Sequence, residues 1–255
     1  MSALTLIGVL LAAAVAACDS DAAETPAPDP SIAYLAEVRA ALDKTRSSYF
    51  VWQSTGNVPG ELAGKDLDGA TLAGHGFFDP GTKDFYRSVA MEGTAADRKK
   101  IRKASAQTVI GNDFYLSEMP PEGELGPAFH IDLDRVPRGT VLYTINQDDP
   151  TGIDRFTAAV ERVTDKADHQ YRGFFKAVPG EFLPIGVPVV GGPGIFTLVT
   201  DETGGVSTID IAVHPAGGRS LKFHILFSFL GRKSPINGPK QFSEADESLL
   251  LKDGA

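Results

Sequence analysis

The chain has 255 residues, 42% of them hydrophobic, a formal net charge of −9 and a single cysteine. The charge opposes electrostatic binding to nucleic acid or to an anionic lipid surface, and one thiol cannot make a disulfide within the chain, so stability must come from a packed core. The 27 glycines and 17 prolines are spread along the chain and favour many turns over long helices, with no repeat of fixed period.

Leu4 to Ala14 is an apolar run, shorter than the ~20 residues a spanning helix needs. It leads into Val15-Ala16-Ala17-Cys18, which resembles the lipobox of bacterial lipoproteins: a branched residue, two small residues, then cysteine. That resemblance implies diacylglycerol on the Cys18 thiol, cleavage before it and acylation of the new amine. Two or three acyl chains anchor stably where one gives only marginal binding. An ordinary secretory signal with a chance cysteine, or an uncleaved anchor, is the alternative. The expected organisation is a signal peptide over 1–17, a lipidated Cys18 with a flexible acidic stalk over 18–30, and one domain over 31–255. The expected location is the outer face of the cytoplasmic membrane, with the lipid on Cys18 as the membrane contact. Asp19 to Pro30 has no bulky apolar residue and cannot bury enough surface to fold. Asp19 also resembles the signal that retains lipoproteins in the inner membrane of Gram-negative hosts.

A helix follows, with Asp29 as cap, Pro30 in the first turn, and Ile32, Leu35, Val38 and Leu42 at helical spacing. From Ser47 the pattern changes to short apolar runs divided by turn residues. Strands are expected over 48–54, 72–78, 84–91, 101–110, 113–117 and 128–133, with turns at Asp79-Pro80-Gly81 and Gly111-Asn112-Asp113. Thr151 to Val163 reads as a second helix, with Ile153, Phe156, Ala159, Val160 and Val163 on one side. Strands resume over 170–178, 195–201, 206–213 and 220–229, two of them joined by the Asp201–Gly205 hairpin. In Leu221 to Phe229 every odd position is large and apolar, so one face of that strand points into a core or cavity. The sum is α+β: a large antiparallel sheet that must curl or be covered by its helices.

The order of these parts resembles the LppX/LprG-type bacterial lipoproteins, known from actinobacterial envelopes, whose fold is similar to the LolA and LolB carriers. The resemblance rests on the lipobox, the stalk and the helix end Ala41-Leu42-Asp43-Lys44-Thr45. It continues through Gly74-His75-Gly76-Phe77-Phe78-Asp79, Gly111-Asn112-Asp113-Phe114-Tyr115-Leu116, Tyr171-Arg172-Gly173 and Leu198 to Gly204. It implies a half-barrel whose concave face is covered by short helices and encloses a hydrophobic cavity for lipid or lipidated cargo.

No catalytic set accompanies this pattern. There is no G-x-S-x-G, no phosphate loop and no H-E-x-x-H, and the five histidines (His75, His130, His169, His214, His224) have no metal-ligand spacing. Asp66-Leu67-Asp68-Gly69 lacks the further ligands of a calcium loop. We therefore expect no catalytic residue, no metal and no cofactor, and a protein that is not an enzyme. Lys99-Lys100-Ile101-Arg102-Lys103, the one basic run, reads as a solvated edge strand before it reads as a phosphate contact.

The aromatic residues are more informative. Phe50, Trp52, Phe77 and Phe85, with Leu221, Phe223, Ile225, Phe227 and Phe229, are candidate cavity-lining residues, although plain core packing is the first reading of any one of them taken singly. Val178 to Ile195 is apolar yet interrupted by Pro179, Pro184, Pro188 and Pro193, which suits a lid over that cavity or a connector packed across the sheet. Phe182, Leu183, Ile185 and Val189 are the candidate lid residues. Two functions follow: a carrier or binder of a lipid, glycolipid or other apolar molecule, or an envelope interaction or sensor module with a filled core and a protein partner. Neither calls for nucleic acid.

Overall fold

A computed structural model of the protein describes residues 29–58, 67–119, 126–136, 149–180, 182–187, 189, 191–215, 219–229 and 235–246. Cys18, the apolar leader, the stalk before Asp29, and Asp66 lie outside them. The chain enters through α1 (Pro30–Arg46), which Asp29 caps by accepting the Ser31 N–H at 2.9 Å. Lys44 and Arg46 in its last turn suit the negative end of the helix dipole. The helix buries Val38, Ala41, Leu42 and Thr45. Ile32 is 69% exposed, because the docked face begins a turn later, at half-buried Leu35.

Six strands follow: β1 (Phe50–Asn57), β2 (Leu67–Phe78), β3 (Phe85–Ala95), β4 (Lys100–Ile110), β5 (Asp113–Met119) and β6 (Ala128–Asp132). After α2 (Ile153–Ala159) come β7 (Val160–Ala167), β8 (Gln170–Ala177), β9 (Gly192–Thr200), β10 (Val206–Val213), β11 (Leu221–Phe229) and β12 (Phe242–Glu244). All twelve join one open sheet in the order β12-β6-β5-β4-β3-β2-β1-β11-β10-β9-β8-β7. Each half is a meander of neighbours, and the antiparallel β1–β11 pair, with Trp52 opposite Phe227, joins them. The one parallel pairing is β12 with β6. The two edges, β7 and β12, are not paired with each other, so the sheet is not a closed barrel.

Three expectations change here. The second helix stops at Ala159, and Val160 to Val163 begin β7. The β-branched residues favour a strand. Register shifts at Val160/Arg162 and Val163/Asp165 put Val160 and Val163 on one face, so a bulged strand reproduces the three-residue spacing of a helix. The N-cap of α2 is Gly152, which has no side chain to offer; Asp149 takes that role from upstream, accepting the Arg155 N–H at 2.7 Å. Burial pushes the Asp149 pKa up, against the lowering effect of that hydrogen bond. Second, β4 as a whole is an interior strand, and only its basic end keeps the one-sided pairing of an edge. Its basic end overhangs β5, whose pairing starts at Ala104, so Lys100 to Lys103 pair with β3 alone among the described residues. There Arg102 lies 3.2 Å from Glu92. Third, Pro193 sits inside an interior strand, at the second residue of β9, with its carbonyl accepting from His214 N.

One face of the sheet is covered. α1 packs on β7, α2 and β10, and α2 packs on β8. Thr45 is the hinge of this docking: its hydroxyl donates to Ala41 O and accepts from Val206 N, both at 2.9 Å. On the rim, Glu37 takes hydrogen bonds from Lys166 and from the Tyr171 hydroxyl, each at 2.6 Å. These bonds, the Lys166 one first, hold the Glu37 carboxyl below its usual pKa.

Candidate functional site

The alternation of β11 decides which residues meet. Leu221, Phe223, Ile225 and Phe227 all point to the covered face and are buried. Opposite them on β1, Phe50 and Trp52 are 0% and 1% exposed. Phe85 joins from β3, its ring stacked on Trp52 at 5.3 Å. Phe50 touches Trp52, Phe78 and Phe227 at centroid distances of 5.9, 5.6 and 5.6 Å, the tilted and edge-on geometries aromatic rings prefer. Phe229 lies on the same face at the half-buried end of β11. Phe77 does not join them. The period of two that points Phe78 inward turns Phe77 to the opposite face, where it stacks on Tyr86 at 4.9 Å.

Glycines make room for these rings. A Cβ on Gly56 would lie 2.3 Å from the Phe223 ring, one on Gly76 2.3 Å from the Trp52 ring, and one on Gly194 2.3 Å from the Phe175 ring. Large side chains therefore lie flat across neighbouring strands instead of standing off the sheet.

The four lid candidates are all buried, at 0–2% exposure. Phe182 stacks on Phe175 at 5.3 Å, and Phe156 of α2 meets Phe175, Phe182 and Phe196 edge-on at 5.4, 5.4 and 5.7 Å. Leu183 N donates to Gly152 O at 3.3 Å, tying the segment to the start of α2, and Gly180 and Val189 pair as a bridge. Beyond Ile185 the segment reaches β3: a Cβ on Gly186 would sit 2.5 Å from Val89 Cγ2. Residues 182–187 thus run over the covered face, from the Phe175 ring of β8 to Val89 of β3. They do so at a conformational cost. Leu183 has φ 61°, in the left-handed region, which costs a non-glycine residue about 1–2 kcal/mol.

Between the rings runs a polar row that hydrophobic patterning does not reveal. The register aligns Trp52, Gly76, Arg87, Gln107 and Leu116 across β1 to β5, with Ser54, Gly74, Val89, Ser105 and Glu118 beside them. Arg87 is 1% exposed. Its Nε donates to Gln107 Oε1 at 3.0 Å, and its guanidinium lies 5.5 Å from the Phe85 ring centroid. Trp52 Nε1 and Ser54 Oγ are fully buried and have no hydrogen-bond partner among the described residues, a cost of about 1–3 kcal/mol for each such group. The signal that could have found this place is Gly74-His75-Gly76: paired glycines on one face of a strand mark a close approach.

The opposite face is different in kind. A groove of about 710 Å³ crosses it over Thr55, Arg172, Phe174, Ile195, Asp210 and His224. Phe174 and Ile195 are 40% and 49% exposed. Arg162 lies 5.0 Å from the Phe174 ring centroid, and His224 Nδ1 lies 2.7 Å from Asp210 Oδ1. Cross-strand pairs of complementary character suit a solvated sheet face.

A scan against protein-family models matches none, and no curated protein aligns significantly with the chain.

Proposed function

We propose that this protein is a lipid-anchored extracytoplasmic lipoprotein of the LppX/LprG type, held at the outer face of the cytoplasmic membrane through Cys18. It binds or carries a lipid, glycolipid or other apolar molecule on the concave face of a half-barrel sheet. The reading requires no catalytic group, cofactor or metal. Burial supplies the affinity, since apolar area removed from water contributes about 25 cal/mol per Å². The observation that carries it is the course of residues 182–187. An irregular, proline-interrupted segment lies buried across an aromatic sheet face, anchored at α2 and Val89 and strained at Leu183. A segment built this way can lift from the face as a unit and admit an apolar chain beneath it.

The test is mass spectrometry of organic extracts from the full-length protein purified out of its host membrane. A stoichiometric non-covalent lipid, enriched over the bulk membrane, is expected. Cys18→Ser is expected to release the protein from membranes or to leave an unprocessed precursor. Recovery of that variant in the membrane fraction at the processed wild-type mass refutes the anchor.

The second reading is an envelope interaction or sensor module that presents its surface to a protein partner. The favouring observation is the mutual packing of Phe50, Trp52, Phe85 and Phe227, whose successive ring centroids lie 5.3 to 5.9 Å apart. Extracts without lipid, from protein that captures an envelope partner, decide for it.

A further inference from the structure

We infer that Trp52 and Ser54 form the polar anchor of the cargo site, selecting molecules that carry a hydrogen-bond-accepting carbonyl within an apolar body, such as acyl esters, over plain hydrocarbon. The inference rests on the carrier reading above. Both residues lie on the covered face of β1, two positions apart, and each is 1% exposed. Both lean over β2 into space that two glycines leave free. The Trp52 ring occupies the place of a Gly76 Cβ, and Ser54 Oγ lies 2.7 Å from the place of a Gly74 Cβ.

An indole N–H can only donate, and a serine hydroxyl donates readily. Neither has a partner among the described residues, and neither polar atom is exposed. Buried polar groups in native proteins are almost always paired, so two orphans side by side in an aromatic face call for a specific occupant. The geometry also says how it arrives. Gly74 pairs with Val89, and Val89 is the residue on which Gly186 of the lid segment rests. Lifting that segment uncovers the strand beside Ser54, and an acceptor entering there satisfies donors that the closed form leaves unpaired. The complementary group is therefore a carbonyl rather than another donor.

Trp52 is the only tryptophan in the chain, so its emission reports on its own N–H. The full-length protein in non-ionic detergent is titrated with methyl palmitate, which has one ester carbonyl, and with hexadecane, which has none. Bound probe is counted by native mass spectrometry, and Trp52 emission is recorded alongside. We expect methyl palmitate to bind about tenfold tighter, the worth of one hydrogen bond to an otherwise unpaired buried group, and to shift Trp52 emission to the red. Ser54→Ala and Trp52→Phe should each reduce the preference for the ester, read as the ratio of methyl palmitate to hexadecane affinity on the same variant. Ser54→Ala should also melt no lower than wild type, because it removes an unpaired buried hydroxyl; this keeps loss of binding separate from loss of fold. Equal binding of the two probes, or an ester preference that survives both substitutions, overturns the anchor and leaves the carrier standing. Binding of neither probe overturns both.

Discussion

The covered face has two halves built on different terms. Across β8 to β11 the central rows on it are aromatic, aliphatic or glycine: Gly173, Phe196, Ile211 and Phe223 on one line, Tyr171, Leu198, Ile209 and Ile225 on the next; at the β7 edge these rows end in Val163 and in Lys166, which is paired with Glu37 of α1. This half lies under α1, α2 and Phe182. Across β3 to β5 the same face carries Arg87, Gln107, Ser105, Lys103 and Glu118 among Val89, Met91 and Leu116. A face that docks helices must be apolar or have its polar groups paired, because each unpaired polar group there costs as much as a good contact contributes. In the other half Arg87 and Gln107 are buried and paired with each other, while Lys103 and Glu118 reach solvent.

The largest expected effect breaks the helix-covered half. Phe156→Ala removes the ring at the centre of the Phe175, Phe182 and Phe196 cluster and should cost about 3–5 kcal/mol in urea unfolding. A cost close to zero shows that the cluster is not packed as described.

Enlarging side chains compares the halves directly. Phe223→Trp adds volume where the ring already fills the space over Gly56 and should destabilise by about 1–3 kcal/mol. Leu116→Trp, at a half-buried position in the polar half, should change stability by less than about 1 kcal/mol. The reverse order in thermal unfolding would remove the distinction between filled and adaptable halves.

The smallest effect concerns the outer edge of the polar half. His130 Nδ1 lies 2.9 Å from Glu244 Oε1 and Nε2 lies 2.9 Å from Asp113 Oδ1, an arrangement that only an imidazolium donating from both nitrogens satisfies. Tyr115 and Phe242 flank the ring at 5.0 and 5.1 Å. Desolvation alone lowers the His130 pKa, but the hydrogen bonds to Asp113 and Glu244 outweigh it and the net shift is upward from 6.5. The clasp on β12 is therefore at full strength below the unfolded value and is lost as pH rises through the higher folded one. Hydrogen exchange at Ala245, whose N–H donates to His130 O, should quicken beyond the intrinsic increase over that window in wild type. In His130→Gln the exchange rate should follow only the intrinsic pH dependence; retention of the wild-type profile refutes the clasp.

Much of the scaffold was legible because it obeys one period at a time. The alternation of Leu221 to Phe229 marks β11, Asp29-Pro30 marks the start of α1, and Asp201 to Gly205 marks a hairpin, where Asp201 Oδ1 accepts from Thr203 N and Gly205 N at 2.9 and 3.1 Å. The failures come where two periods coincide or where pairing is distant. Val160 and Val163 satisfy a helix and a bulged strand equally. Phe242 to Glu244 has no strand pattern of its own and is ordered by β6, more than a hundred residues earlier. At the site, the rings were visible as hydrophobic residues, but the parity that separates Phe77 from Phe78 needed the register. Ser54 and Arg87 were invisible for a simpler reason: their burial follows from neighbours on other strands, not from their own type.

The bulges in β7 have a further consequence, for association between copies of the chain. An open sheet ends in strands whose free N–H and C=O groups invite another sheet to add on, and flat, regular edges are the most receptive. The two register shifts of β7 twist its hydrogen-bonding row out of line, and Glu161, Arg162, Asp165 and Lys166 make the row charged. At the far edge, β12 has only three residues, all exposed, too short a template to propagate a ladder. Among the described residues neither outermost strand offers a long, regular row to a neighbour, which disfavours the zipping of molecules crowded side by side into a continuous polymer.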